Sequence, residues 1–230
     1  MIIQKSLLSL EKPLKYIKTA NKLNKYRFIE RSSENIFSPE TNTMHENNSS
    51  KNNKTINSEQ LPKEQLINLF RKADLRVGEI IECKPVEDST KLYIEKITFG
   101  NEVRQILSGL RSHVPIEEMK GKVVVFYNLK PRKIAGISSE GMLMCAENIE
   151  KTKVEILRPQ ADAKLGEKIV LADLNYELQG ELGLINSKNL KKFLELLSVD
   201  ADGQATFGKF NLSTENSLLL KSNISNGVIR

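Results

Sequence analysis

From Leu75 to Leu157 the chain keeps returning to short runs of β-branched and aromatic residues, which constrains its fold more than any other feature. Leu75–Lys84 (LRVGEIIECK), Tyr93–Phe99 (YIEKITF), Val103–Leu107 (VRQIL) and Lys122–Leu129 (KVVVFYNL) are bounded by Gly, Pro or Asn, as strands are. Met142–Ala146 and Val154–Leu157 extend the series. Short strands at such close spacing predict an all-β dominated fold built on a small barrel, because closure leaves no unpaired edge. Pro115–Met119 fits one helical turn between the third and fourth strands.

The flanks differ in composition. Residues 1–29 hold Lys5, Lys12, Lys15, Lys18, Lys22, Lys25 and Arg27 against the single acid Glu11. Ile3, Leu7, Leu10, Leu14 and Ile17 step by four and three along one helical face, which Pro13 interrupts. The segment reads as a mitochondrial presequence, with Arg27 just upstream of Phe28 as a protease-cut pattern. An RNA-holding arm and a partner-docking helix are the other readings, and cytoplasmic residence is the alternative address. Residues 30–60 are mostly Asn, Ser, Thr, Glu and Lys, too poor in apolar surface to offset ordering entropy, and are expected to be a disordered linker. A short helix is expected at PKEQLINLFRK, residues 62–72. Beyond the barrel, Asn189–Leu197 reads as an amphipathic helix, followed by two strands at QATFGKFNLS and LLLKSNI.

The net charge of +6 carries little information about the folded part. The first 29 residues hold the whole excess, leaving 28 of the 35 basic and 28 of the 29 acidic residues for the remainder. Any basic surface there must be local. Cys83 and Cys145 lie in apolar runs and read as small buried hydrophobes, and no Cys/His spacing suits a metal. Neither a Gly-rich phosphate loop, a GxSxG elbow nor an HExxH pair appears, and His113 has no nucleophile near it in sequence. The reading is therefore of a protein that is not an enzyme, with no cofactor and no metal. No run of about 18 apolar residues occurs, so no helical membrane span is expected.

Asn128–Cys145, NLKPRKIAGISSEGMLMC, carries the functional signal. A strand is expected to end at Pro131, which cannot donate to a ladder. Lys130, Arg132 and Lys133 cluster around that break, followed by Gly136, Ser138, Ser139 and Gly141. Cations beside glycine amides and hydroxyls suit a sugar-phosphate backbone. On composition alone, the segment reads equally well as a solvated basic turn of a β-hairpin.

This segment resembles the signature NLKP-x-K-x-x-G-x-x-S-x-G-M of the tRNA-binding domain of the endothelial monocyte-activating polypeptide family. That family includes the yeast cofactor of methionyl- and glutamyl-tRNA synthetases, C-terminal appendages of methionyl- and tyrosyl-tRNA synthetases, and stand-alone bacterial proteins. DLRVGEI, DSTKLYIE and ILSGLRSHVP are similar, in order, to its first three strands. The resemblance covers about residues 73–175, and the closing ATFGKF and SNGVIR resemble the extension of the longer eukaryotic form.

It implies an oligonucleotide-binding (OB) fold β-barrel over 73–175. A C-terminal extension subdomain over 176–230 would pack where bacterial relatives dimerise, which implies a monomer. Before these come the basic segment 1–29 and the linker 30–72. The implied function is non-catalytic tRNA binding as an accessory to a methionyl, glutamyl or tyrosyl synthetase, with a protein-docking or chaperone-like module as the alternative. The RNA-contacting residues expected from the motif are Asn128, Lys130, Lys133, Ser139, Gly141 and Met142, with Arg132 added from the cationic cluster, where it fills a variable slot of the motif, and Arg104 from its place on the third strand. Tyr93 and Phe126 stand open between core aromatics and base-stacking platforms. The lysine-rich stretch that often precedes the barrel in longer relatives is reduced here to Lys51, Lys54, Lys63, Arg71 and Lys72, mixed with acids.

Overall fold

The computed structural model describes residues 61–172, 174 and 182–230. The basic segment 1–29 and the expected linker 30–60 lie outside the described residues. Helix α1 (Lys63–Phe70) leads into β1 (Leu75–Pro85), β2 (Tyr93–Thr98) and β3 (Val103–Ser108), an antiparallel meander. A 3-10 turn at Ile116–Glu118 stands where the helical turn is expected, and β4 (Gly121–Phe126) then returns to pair with β1. After β5 (Arg132–Ile134) and β6 (Ile137–Ser139), β7 (Met142–Leu143) pairs with β4. The sheet order is therefore β3-β2-β1-β4-β7. Its two ends meet through Glu140 N–H donating to Gln105 O at 2.9 Å, so a nearly closed five-stranded OB barrel results.

Curling this sheet needs two local devices. Between Ile80 and Glu82 the register of β1 slips by one residue, a bulge that bends the strand and turns Ile81 outward. At Gly78 an added Cβ would sit 2.5 Å from Cγ2 of the fully buried Ile97, so only glycine lets the strands approach.

Strand β4, GKVVVF, is apolar on both faces because both faces are covered. Val123 and Val125 point into the barrel with Ile97, Phe99 and Ile106. Val124 and Phe126 point outward into a larger core built by the C-terminal segment. That segment supplies α2 (Ser187–Leu194), β11 (Leu197–Val199), β12 (Ala205–Phe207), β13 (Phe210–Thr214) and β14 (Val228–Ile229). With β8 (Cys145–Glu147), β9 (Val154–Ile156) and β10 (Ile169–Leu171), they form a second sheet in the order β10-β13-β12-β11-β14-β8-β9. The expected strand Met142–Ala146 is thus two strands joined at Met144. Its N–H bonds Val124 and its carbonyl accepts from Leu157 as the chain crosses between sheets.

Four phenylalanines centre the larger core, with Phe193 packed on Phe207 (centroids 4.7 Å), Phe126 (5.3 Å) and Phe70 (5.6 Å). Phe70 belongs to α1, whose Leu66 is also fully buried. The helix expected at the end of the linker is therefore an integral part of the core.

Three expectations are corrected. The second helix runs Ser187–Leu194 rather than Asn189–Leu197: Asn186 caps it through Asn189 N–H, and Leu197 already belongs to β11. QATFGKFNLS is not one strand but the β12–β13 hairpin, turning at Gly208 (φ +58°). LLLKSNI makes only single bridges, from Leu219 to Ser213 and from Lys221 to Arg158 and Gln204, because its backbone divides between several partners. Tyr93 and Phe126 are core residues; Tyr93 is 5 % exposed and donates its hydroxyl to Val114 O. Among the described residues no helix is long and apolar enough to cross a membrane.

Candidate nucleic-acid interface

The signature segment folds as a two-residue β-hairpin standing on the end of β3. Arg132 pairs with Ser139, Lys133 with Ser138 and Ile134 with Ile137, leaving Ala135 and Gly136 as the turn. Both turn residues have positive φ, +49° and +79°, as a tight hairpin of this twist requires. For Ala135 that conformation costs about 1–2 kcal/mol, which the anchoring below the turn must offset.

That anchoring is dense. Gln105 Nε2 donates to Ser138 O (2.9 Å), and Leu107 N–H donates to Ser139 Oγ (3.1 Å). The Ser139 hydroxyl in turn donates to Gly141 O at 3.2 Å. Arg104 Nη1 donates to Tyr127 O (2.7 Å) and Glu140 O (3.4 Å), holding both feet of the hairpin at once. At Gly141 a Cβ would meet Ile106 Cδ1 at 3.0 Å and Phe126 O at 3.1 Å, so the loop packs tightly on the barrel and a side chain there would push its neighbours aside.

Below the hairpin lies a stack with no local signature in the sequence. The Tyr127 ring has the Arg104 guanidinium 3.4 Å and the Arg76 guanidinium 3.9 Å from its centroid. Arg76 forks onto Asp74 (2.9 and 2.8 Å), and Arg104 Nε bonds Glu102 Oε1 at 2.7 Å. The bond to Asp74 holds the Arg76 pKa above its ordinary value. Burial pushes the Glu102 carboxyl up, but hydrogen bonds from Tyr127 and Arg104 outweigh it and leave it below the usual range. Two cations and two acids balance, so this stack braces the hairpin rather than offering charge to a ligand.

The expected contact residues therefore divide. Lys130, Arg132 and Lys133 are exposed, and no ion pair or side-chain hydrogen bond engages them among the described residues. Ser138, outside the expected set, is exposed on the same hairpin. Met142 is half-buried and lines a cavity of about 250 Å³ between the ends of β3 and β7, with Leu107, Leu110 and Leu143.

Asn128 and Ser139, by contrast, are 4 % and 5 % exposed with their polar atoms committed inside the fold. Asn128 Oδ1 accepts from Asp74 N–H, and its amide donates to Lys72 O and Gly183 O, each at 2.9 Å. It binds α1, β4 and the C-terminal segment together, with both side-chain polar atoms hydrogen-bonded inside the fold. Gly141 is packed and Arg104 is charge-paired, so these four residues shape the hairpin and leave its three cations as the free surface. Gln105, Tyr127 and Arg76 are the structural partners that sequence reading missed.

A sequence model of the family described as "Putative tRNA binding domain" matches residues 75–168. The methionine–tRNA ligase of Methanococcus vannielii is 44% identical over 122 residues, covering 52% of this chain and 18% of the ligase. The cytoplasmic methionine–tRNA ligase of Arabidopsis thaliana is 34% identical over 163 residues, covering 68% of this chain and 20% of the ligase. The chain thus spans a fifth or less of the length of these relatives. The solved C-terminal domain of Plasmodium vivax p43 superposes with a TM-score of 0.64 at 23% identity, covering 70% of this chain and 98% of that domain, a likeness of fold.

Proposed function

The chain belongs, through residues 75–168, to the tRNA-binding-domain family, and on that premise we propose that it is a non-catalytic tRNA-binding accessory of an aminoacyl-tRNA synthetase. The observation that carries this reading is the braced hairpin with its three exposed cations, which no ion pair engages among the described residues. Lys130, Arg132 and Lys133 hold phosphates, while the Ser138 hydroxyl and the Gly136 amide reach the sugar-phosphate backbone between them. Such contacts read backbone and shape rather than sequence.

The three phosphate contacts of the hairpin give weak, roughly micromolar binding and contribute about −2 to −3 to the slope of log affinity against log salt. Affinity of that order becomes useful when a second contact is linked to it, which a synthetase supplies by holding the same tRNA. A methionyl partner fits best, since the relatives above are methionine–tRNA ligases, with glutamyl and tyrosyl enzymes as alternatives. The protein acts as a monomer: β14 already pairs with β8, and the larger core covers the outer face of the barrel. Residues 1–29 direct it to mitochondria; that segment fused to a fluorescent protein should enter them, and a diffuse cytoplasmic signal would contradict this address.

The direct test is tRNA binding by the purified chain. Lys130→Glu with Lys133→Glu should abolish measurable binding and leave the thermal melt unchanged. Asn128→Ala should instead lower the melt, because it orphans buried donors and acceptors at about 1–3 kcal/mol each. Undiminished binding by the lysine variant would move the site elsewhere. A chain that binds no tRNA at all would favour a protein-docking or chaperone-like module.

A further inference from the structure

Helix α2 buries Phe193 and turns Lys188, Lys191 and Lys192 to solvent. Spaced i, i+3 and i+4, the three ammonium groups share one face and repel one another. The one acid on that face is Glu195, whose carboxylate lies 4.0 Å from Lys191; no ion pair engages Lys188 or Lys192 among the described residues. Lys188 stands in a first turn that holds no acid, where it opposes the helix dipole, although Lys191 and Lys192 in the last turn suit it. A merely solvated face would relieve this crowding by interspersing acids, so the local cost points to a ligand.

The position of the helix points the same way. Asn128 donates to Gly183 O and Lys72 O, and its own carbonyl accepts from Ile185 N–H at 3.0 Å. The hairpin springs from Asn128 on one side of this junction, and α2 begins two residues after Ile185 on the other. At no more than 3.8 Å per residue, the Cα atoms of Lys130 and Lys188 lie within roughly 25 Å of each other. The exposed Lys72 stands at the same junction. Three basic segments, far apart in sequence, thus converge on one buried amide.

We propose that α2 is a second phosphate-contacting surface, and that one RNA molecule bridges the barrel hairpin and the C-terminal segment. This rests on the tRNA-binding reading and deepens it. The extension then does more than cover the barrel, because it roughly doubles the number of backbone contacts. Asn128 gains a role as well, fixing the spacing between the two surfaces.

The experiment is a salt titration of tRNA-transcript binding to the full chain, read by fluorescence anisotropy. Lys188→Ala, Lys191→Ala and Lys192→Ala together should weaken binding about tenfold and flatten the salt slope by about 2. Alanine favours the helix, so the melt should not fall. The corresponding triple arginine variant should bind as the wild type does. A control that replaces the exposed Lys91, Lys120 and Lys151 by alanine should lose less than about threefold. If the α2 variant binds like the wild type while the hairpin variant does not, the inference falls and the tRNA-binding reading stands. Equal losses in the control and α2 variants would reduce the effect to net charge and overturn the inference. No binding by the wild type would overturn both.

Discussion

At the scale of single residues, the signature separates display from support. Lys130, Arg132 and Lys133 were legible as a cationic cluster from their spacing alone. The duties of Asn128 and Ser139 were not, because their partners Asp74, Gly183 and Leu107 lie 54, 55 and 32 residues away. Glu95 is a second residue that sequence passes over. Its alternating place in β2 points it into the barrel, where it is fully buried beside Ser108 and one carboxylate oxygen has no hydrogen-bond partner. Burial pushes its pKa up to about 8 despite the bond from Ser108. A carboxyl raised in this way favours folding most below its ordinary range near 4.5 and loses that contribution as pH rises through about 8. Glu95→Gln should therefore melt with a smaller drop between pH 6 and pH 9 than the wild type. Parallel pH profiles for the two proteins would refute the assignment. Burial likewise pushes the Cys83 and Cys145 thiols up to about 12, so neither is a thiolate at neutral pH.

At the scale of elements, the strands of the barrel were visible because their residue types and punctuation are local. What was not visible is how elements share a core. Helix α1 looked like the end of a linker, yet Leu66 and Phe70 lock it against Phe193 and Phe207, beyond the reach of any local pattern. Leu66→Ala should cost about 2–5 kcal/mol in denaturant unfolding, the range for emptying a buried leucine site. A loss under about 1 kcal/mol would mean that α1 is peripheral. The helix near residue 190 was found but shifted, since the Asn186 cap and the strand demands of Leu197 and Val199 set its limits. LLLKSNI carried strand composition without a strand, because Leu220 fills the core while its neighbours serve different partners.

At the scale of the whole molecule, barrel and extension are joined by one sheet and one core, with Asn128 at the seam beside the hairpin. The run KVVVF joins the two, with Val123 and Val125 in the barrel and Val124 and Phe126 in the larger core. The hairpin's rigidity comes from Arg104, Gln105 and Tyr127, so the charged surface is presented by a braced platform rather than a loose loop. The claim that this platform holds tRNA is tested most directly by crosslinking the tagged protein to RNA in its own cells and sequencing what is bound. The dominant species should be tRNA, lost when Lys130 and Lys133 are both replaced by glutamate. RNA at background level, or tRNA retained undiminished by that variant, would contradict it.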